Sequence, residues 1–275
     1  MIIAQISDFH VSFPDSGMDR RNRTADHLQA AVARLNALTP RPDVVLATGD
    51  LVEQGAVEEY ARLAEILAPL TMPVLPIPGN HDERDNLRAA FPDHAHLPGT
   101  GEFLHYVVDD YAVRLVALDT VIPGASGGEL CAERLAWLDQ RLGEAPDRPT
   151  LVFMHHPPFV TGLAKMDTMG LRNPDDLAAV IARHLQVERI VAGHLHRPIV
   201  RRFAGTVAST CPSTAHQIAL DLQPTEKLAI VMEPPAIAVH AWLPDGAGLV
   251  SHTVYVNDYS ATPIFDGKDW ITSPA

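Results

Sequence analysis

Five times along this chain a short apolar run of strand length stops at a cluster of Asp, His, Asn and Gly. The run 2–6 leads into Ser7-Asp8-Phe9-His10, 43–47 into Thr48-Gly49-Asp50-Leu51, and 73–77 into Pro78-Gly79-Asn80-His81-Asp82. The run 150–154 leads into His155-His156-Pro157-Pro158, and 189–192 into Gly193-His194-Leu195-His196. Segments of helical period lie between them: 27–38 carries Leu28, Ala31, Val32, Leu35 and Leu38 on one face and is closed by Pro40 and Pro42. Segments 58–67, 133–142 and 174–184 repeat the pattern, the last with proline in its first turn. Strand and helix alternating in this way predict an α/β fold of stacked layers.

The prolines in 73–77 point to an edge position or an early stop, and 103–108 with 114–118 reads as a hairpin across Asp109-Asp110. After 189–192 the sequence is β-rich from 199 to 222. Beyond Pro224 two strand-like segments, 236–242 and 249–256, sit among Pro and Gly with no helix between them. The expectation is a catalytic domain over 1–223 and a β-rich C-terminal appendage over 224–275, serving as a cap or pairing chains into a homodimer or larger homo-oligomer.

Charge narrows the partners. Lys plus Arg number 21 against 34 Asp plus Glu, a formal charge of -13, and such a field repels nucleic acid polymers. A small anion is still accommodated, because bound metal ions reverse the local potential. No segment approaches the ~18 uninterrupted apolar residues of a membrane-spanning helix, so no membrane association is expected. The first strand reaches Asp8 without a basic lead, and Cys131 and Cys211 are far apart, so neither a secretory signal nor a disulfide framework is expected and the cytoplasm is the simpler location.

In open α/β sheets polar residues at the carboxyl ends of separate strands meet in one crevice. Asp and His are ligands for divalent transition metals, and a glycine directly before Asp50, Asn80 and His194 allows a tight turn that aims those side chains inward. Any one of these clusters alone is an ordinary turn, cap or core histidine. Five in succession at strand ends call for a shared site. His156 should face away from its neighbour across an extended chain and so serve a supporting or structural role, and Asp82 either orients His81 or caps the following helix. His27, His94, His96, His105, His184, His240 and His252 lack a strand-end setting and read as surface or core residues.

The series Asp8-x-His10, Gly49-Asp50, Gly79-Asn80-His81-Asp82, His155-x-Pro157 and Gly193-His194-x-His196 resembles the full motif set of the calcineurin-like metallophosphoesterases. Its spacing is most similar to that of the bacterial glycerophosphodiesterases and class III cyclic-nucleotide phosphodiesterases, from the first strand to about residue 220. The resemblance implies a four-layer α/β/β/α sandwich holding two divalent metal ions. It implies that Asp8, His10 and His196 hold one ion, that Asn80, His155 and His194 hold the other, and that Asp50 bridges them. His81 matches the family's non-ligand histidine that reaches the substrate phosphate, and is the expected catalytic residue. His216, in Ser213-Thr214-Ala215-His216, resembles a second substrate-side histidine, and Asn80 would also border the substrate. Two ions ~3.5 Å apart lower the pKa of a bridging water. The expected activity is therefore hydrolysis of a small phosphodiester, a glycerophosphodiester or a 3′,5′-cyclic nucleotide, by a metal-bridging hydroxide. A phosphomonoesterase and a non-catalytic metal-binding scaffold are the alternatives. Nitrogen and oxygen ligands without thiolate suit Fe, Mn, Co or Zn.

Overall fold

The computed structural model describes residues 1–243 and 246–271. Its first half runs β1 (Ile2–Ile6), α1 (Gly17–Asn22), α2 (Thr24–Ala37), β2 (Val44–Thr48), α3 (Val57–Leu67), β3 (Val74–Ile77) and α4 (Arg84–Ala90). The second half runs β4 (Tyr106–Val108), β5 (Arg114–Leu118), α5 (Ala132–Gly143), β6 (Thr150–Met154), α6 (Ala164–Asp167), α7 (Pro174–Ile181) and β7 (Val187–Ala192). There follow β8 (Val200–Phe203), β9 (Thr206–Thr210), β10 (Gln217–Ile218), β11 (Ile230–Val231), β12 (Ala236–Leu243) and β13 (Gly248–Tyr255).

Two large sheets form, one ordered β13-β12-β1-β2-β3 and the other β4-β5-β6-β7-β9-β8. β1, β2 and β3 are mutually parallel, as are β5, β6, β7 and β9, so their carboxyl ends emerge together. The strands are buried on both faces, and the twofold alternation of side chains divides each between two layers. In β2, Val44 and Leu46 enter the layer between the sheets while Val45 and Ala47 face the helices. In β6, Leu151 and Phe153 meet the first sheet while Val152 and Met154 pack against the opposite helices. Leu28, Leu35 and Leu63 of α2 and α3 cover the first sheet, and Leu138, Leu177 and Ile181 of α5 and α7 cover the second. Each such leucine contributes about 1.5–3 kcal/mol by leaving water. The result is the expected α/β/β/α sandwich, with β3 at an edge, one of the two positions its prolines allow.

Beyond Pro224 the strands β12 and β13 complete the first sheet. β12 lies antiparallel to β1, pairing Ile3 with His240 and Ala4 with Val239, and β13 pairs in turn with β12. Ile237 joins the outer core and Leu249 the layer between the sheets. Division at 223/224 therefore cuts through one sheet. Without β12 the free side of β1 would leave its N–H and C=O groups unpaired in the interior. Two antiparallel strands need no crossover helix, which is why a helix-free segment fills that position. After Tyr255 the chain runs on as an exposed segment carrying Tyr259, Ile264, Phe265 and Trp270. Among the described residues no helix is long and apolar enough to cross a membrane.

Candidate metal centre

The loops following β1, β2, β3, β6 and β7 converge, and main-chain hydrogen bonds tie them together. Asp8 N donates to Gly49 O and His10 N to Asp50 O, both at 3.0 Å, and Gly193 N donates to His155 O at 3.0 Å. The two sheets are joined where His194 N donates to the Asp8 carboxylate at 2.9 and 3.1 Å. Asp8, His10, Asp50, His194 and His196 all have left-handed backbones, with φ of 55°, 48°, 49°, 70° and 49°. Each such residue costs about 1–3 kcal/mol, a strain that persists only where the surroundings over-determine it. The preceding glycines act differently from one another. Gly49 has φ 88° and also leaves room for the His155 ring, whereas Gly79 and Gly193 only leave room: a Cβ on Gly79 would strike Asp50, and one on Gly193 would strike Ser7 Oγ and come within 2.7 Å of Thr48 O.

Hydrogen bonding determines which ring nitrogens are bare, because a nitrogen facing a carbonyl or carboxylate must carry the proton. His10 Nδ1 donates to Glu53 Oε2 at 2.8 Å, His155 Nδ1 to Thr48 O at 2.8 Å and His196 Nδ1 to His216 O at 2.9 Å. The Nε2 atoms are then acceptors, and they face other acceptors. His10 Nε2 and His196 Nε2 stand 3.2 Å apart, with Asp8 Oδ1 3.5 Å from His196 Nε2 and Asp50 Oδ2 3.7 Å from His10 Nε2. On the other side His155 Nε2 lies 3.2 Å from Asn80 Oδ1 and 3.3 Å from Asp50 Oδ2. His194 Nε2 is buried without a hydrogen-bond partner. Two groups of converging lone pairs with Asp50 Oδ2 between them form a donor set that fits two divalent cations.

Burial and the neighbouring charges set the protonation of these donors. Burial disfavours a charged His155, but Asp50 and Asp8 outweigh it and hold its pKa at about 9. His10 is likewise raised, the Glu53 hydrogen bond and Asp50 overcoming burial. Burial pushes Asp8 up to about 6, and it pushes His194 and His196 down to about 3 beside their cationic neighbours. Burial would raise Asp50 too, yet the positive His155 holds it well below the usual carboxylate range. A metal ion entering here displaces protons.

Above the wholly buried Asp8 and His155 opens a cavity of about 290 Å³ bordered by His10, Asp50, Asn80, His81, His194, His196 and His216. Met18, Met166, Met169, Ile218 and Leu228 form its apolar wall, and among the described residues neither Lys nor Arg borders it. His81 is fixed through its main-chain N–H, 3.0 Å from Asp50 Oδ1, and through Nδ1, which donates to Glu53 O at 2.7 Å. The His216 ring sits 4.8 Å from that of His196, its Nδ1 buried without a partner.

Two expectations change. His156 does not turn away: the chain bends after β6 and its ring lies 4.7 Å from that of His194. Both of its nitrogens are engaged, by Thr120 Oγ1 at 2.8 Å and Ser126 O at 3.2 Å, so it offers no lone pair to a cation. Asp82 neither orients His81 nor caps α4, which Glu83 caps. Instead it binds the turn, accepting from Gly79 N at 2.8 Å, Leu51 N at 3.1 Å and Tyr60 Oη at 2.8 Å. Glu53 was not foreseen at all, since a lone loop glutamate ordinarily reads as solvated.

Comparison with known proteins gives the family. Residues 1–198 match the family model described as calcineurin-like phosphoesterase. The chain is 35% identical over 272 residues to a probable glycerophosphodiester phosphodiesterase of Arcobacter nitrofigilis, covering 98% of each. It is 35% identical over 223 residues to a 3′,5′-cyclic adenosine monophosphate phosphodiesterase of Pseudomonas aeruginosa, covering 80% of this chain and 78% of the other. A dimetal phosphatase from Danio rerio shares the fold, with a TM-score of 0.61 at 15% identity over 94% of this chain and 99% of its own.

Proposed function

The chain belongs to the calcineurin-like phosphoesterases, and from that premise we propose that it is a two-metal phosphodiesterase for small diesters, glycerophosphodiesters foremost. The observation that carries the reading is the pair of facing acceptor groups around Asp50 Oδ2. Asp8, His10 and His196 hold one ion, Asn80, His155 and His194 the second, and Asp50 serves both. When bound, the ions supply Lewis acidity and a hydroxide nucleophile near neutral pH. The absence of thiolate suits Fe, Mn, Co or Zn.

The chain's own residues do the rest. His81, with Nδ1 committed to Glu53 O, presents Nε2 to the cavity, where it donates to a phosphoryl or departing oxygen. His216 and Asn80 border the same space, and the methionine-rich wall receives an ester substituent. The cavity wall favours a diester over a monoester. A monoester is largely a dianion at neutral pH, with a second pKa of about 6, and no Lys or Arg among the described lining residues meets that extra charge while Glu53 opposes it. Glycerophosphodiesters rank before cyclic nucleotides because the similarity to the Arcobacter nitrofigilis protein takes in the C-terminal strands as well. The test is kcat/KM with Mn²⁺-loaded protein on glycerophosphodiesters, 3′,5′-cyclic nucleotides and matched monoesters. The reading predicts diesters well ahead of monoesters, and a monoester preference would overturn it.

The protein acts as a homodimer or larger homo-oligomer in the cytoplasm. Among the described residues β13 has one unpaired edge, and Tyr259, Ile264, Phe265 and Trp270 are exposed in the segment that follows it, surface that a second copy would cover. Truncation after Asn257 spares both C-terminal strands and should shift the mass in light scattering to that of a monomer.

A further inference from the structure

Glu53 lies three residues past Asp50, in the loop after β2. Its backbone N–H donates to Val11 O at 3.0 Å, fixing it against the segment that carries His10. From there it touches two imidazoles through different atoms. Oε2 accepts from His10 Nδ1 at 2.8 Å, while its main-chain carbonyl accepts from His81 Nδ1 at 2.7 Å. The His10 and His81 rings meet edge to face with centroids 4.7 Å apart.

His10 is the exception among the Nδ1-anchored histidines. His155 and His196 are held by main-chain carbonyls, of Thr48 and His216, which no substitution removes. His10 is held by a side chain. A neutral imidazole carries one N–H, and the carboxylate keeps it on Nδ1 so that Nε2 stays bare toward His196 Nε2 and Asp50. With His10 4% exposed, little water is at hand to replace that acceptor.

We propose that Glu53 is a positioning residue that sets the metal affinity of the half-site made by Asp8, His10 and His196, leaving the half-site of Asn80, His155 and His194 untouched. The inference rests on the two-metal reading above but not on the identity of the diester. Chelator-stripped wild type, Glu53→Ala and Glu53→Gln are titrated with Mn²⁺ by calorimetry, with melting curves to verify folding. In Glu53→Ala one of two binding steps should weaken by roughly 10–100-fold while the other is unchanged. Glu53→Gln, whose amide oxygen still accepts from Nδ1, should recover most of that loss. Two wild-type steps in Glu53→Ala, equal weakening of both, or a Gln variant no better than Ala would overturn the proposal. Failure of the wild type to take up two ions would instead sink the two-metal reading itself.

Discussion

Replacing Gly193 with alanine tests whether the site depends on close approach of the two sheets. A methyl group there would overlap Ser7 Oγ and lie 2.7 Å from Thr48 O and 3.0 Å from Asp8 Oδ2, against a comfortable separation of about 3.5 Å. The chain cannot retreat freely. Gly193 N is bonded to His155 O and the next N–H to Asp8, while Ser7 Oγ donates to Thr48 O at 3.2 Å. Overpacking of this kind costs about 1–3 kcal/mol, and loss of the Ser7 bond adds about 1 kcal/mol. A total of roughly 2–4 kcal/mol corresponds to a fall of about 5–15 °C in melting temperature for a chain of this size. Because Asp8 must move, Mn²⁺ affinity should drop at least about tenfold, as for other disturbed ligand supports. Gly193 is not in the left-handed region, so backbone strain does not confound the result. Gly205→Ala is the control for backbone strain alone: φ there is 93° with nothing near its Cβ, so stability falls by about 1–3 kcal/mol while metal affinity stays. Calorimetric Mn²⁺ titration and thermal melts read both effects. Wild-type affinity and melting in Gly193→Ala would refute the packing argument.

Other changes separate the roles assigned here. His81→Ala should lower kcat by about 10²–10⁴-fold with both ions still bound, whereas a comparable loss of bound metal would make His81 a ligand instead. Asp50→Asn should weaken both metal-binding steps, because Oδ2 faces His10 and His155 alike; an effect on one step only would contradict a shared ligand. His240 is buried between Gln5 and Ser251, and burial together with Arg189 depresses its pKa to about 3 from an unfolded value near 6.5. The unfolded chain therefore binds the extra proton first, and the stability due to His240 is present above pH 6.5 and lost as pH falls toward 3. Between pH 7.5 and 4.5 that loss is about 2–3 kcal/mol, and urea midpoints of His240→Gln should show a correspondingly flatter pH dependence. Identical slopes for the variant and the wild type would remove His240 from the acid response.

The strand-end clusters were legible because a parallel α/β sheet leaves one place for polar residues interrupting buried strands. Asp8, His10, Asp50, Asn80, His155, His194 and His196 each directly follow a run whose hydrophobicity defines it, and the prolines of β3 marked an edge or an early stop. What stayed hidden depends on partners far away in sequence. Periodicity identified β12 and β13 as strands but carried no information on pairing, so their place beside β1 was not readable. The directions of His156 and Asp82 are set by local bends, not by strand alternation or a cap rule. The glycines are recognisable as special, yet of the three only Gly49 has a positive φ; the crowding at Gly79 comes from the neighbouring β2 loop and that at Gly193 exists only once the sheets meet. Glu53 became meaningful only when His10 was found against it.

The most direct measurement is hydrolysis of a bis-aryl phosphodiester, beside the matching monoester, while chelator-stripped protein is titrated with Mn²⁺. Turnover that rises until two ions are bound per chain and favours the diester is what two acceptor groups sharing Asp50 predict. Activity that saturates at one ion per chain, or that favours the monoester, would contradict the account.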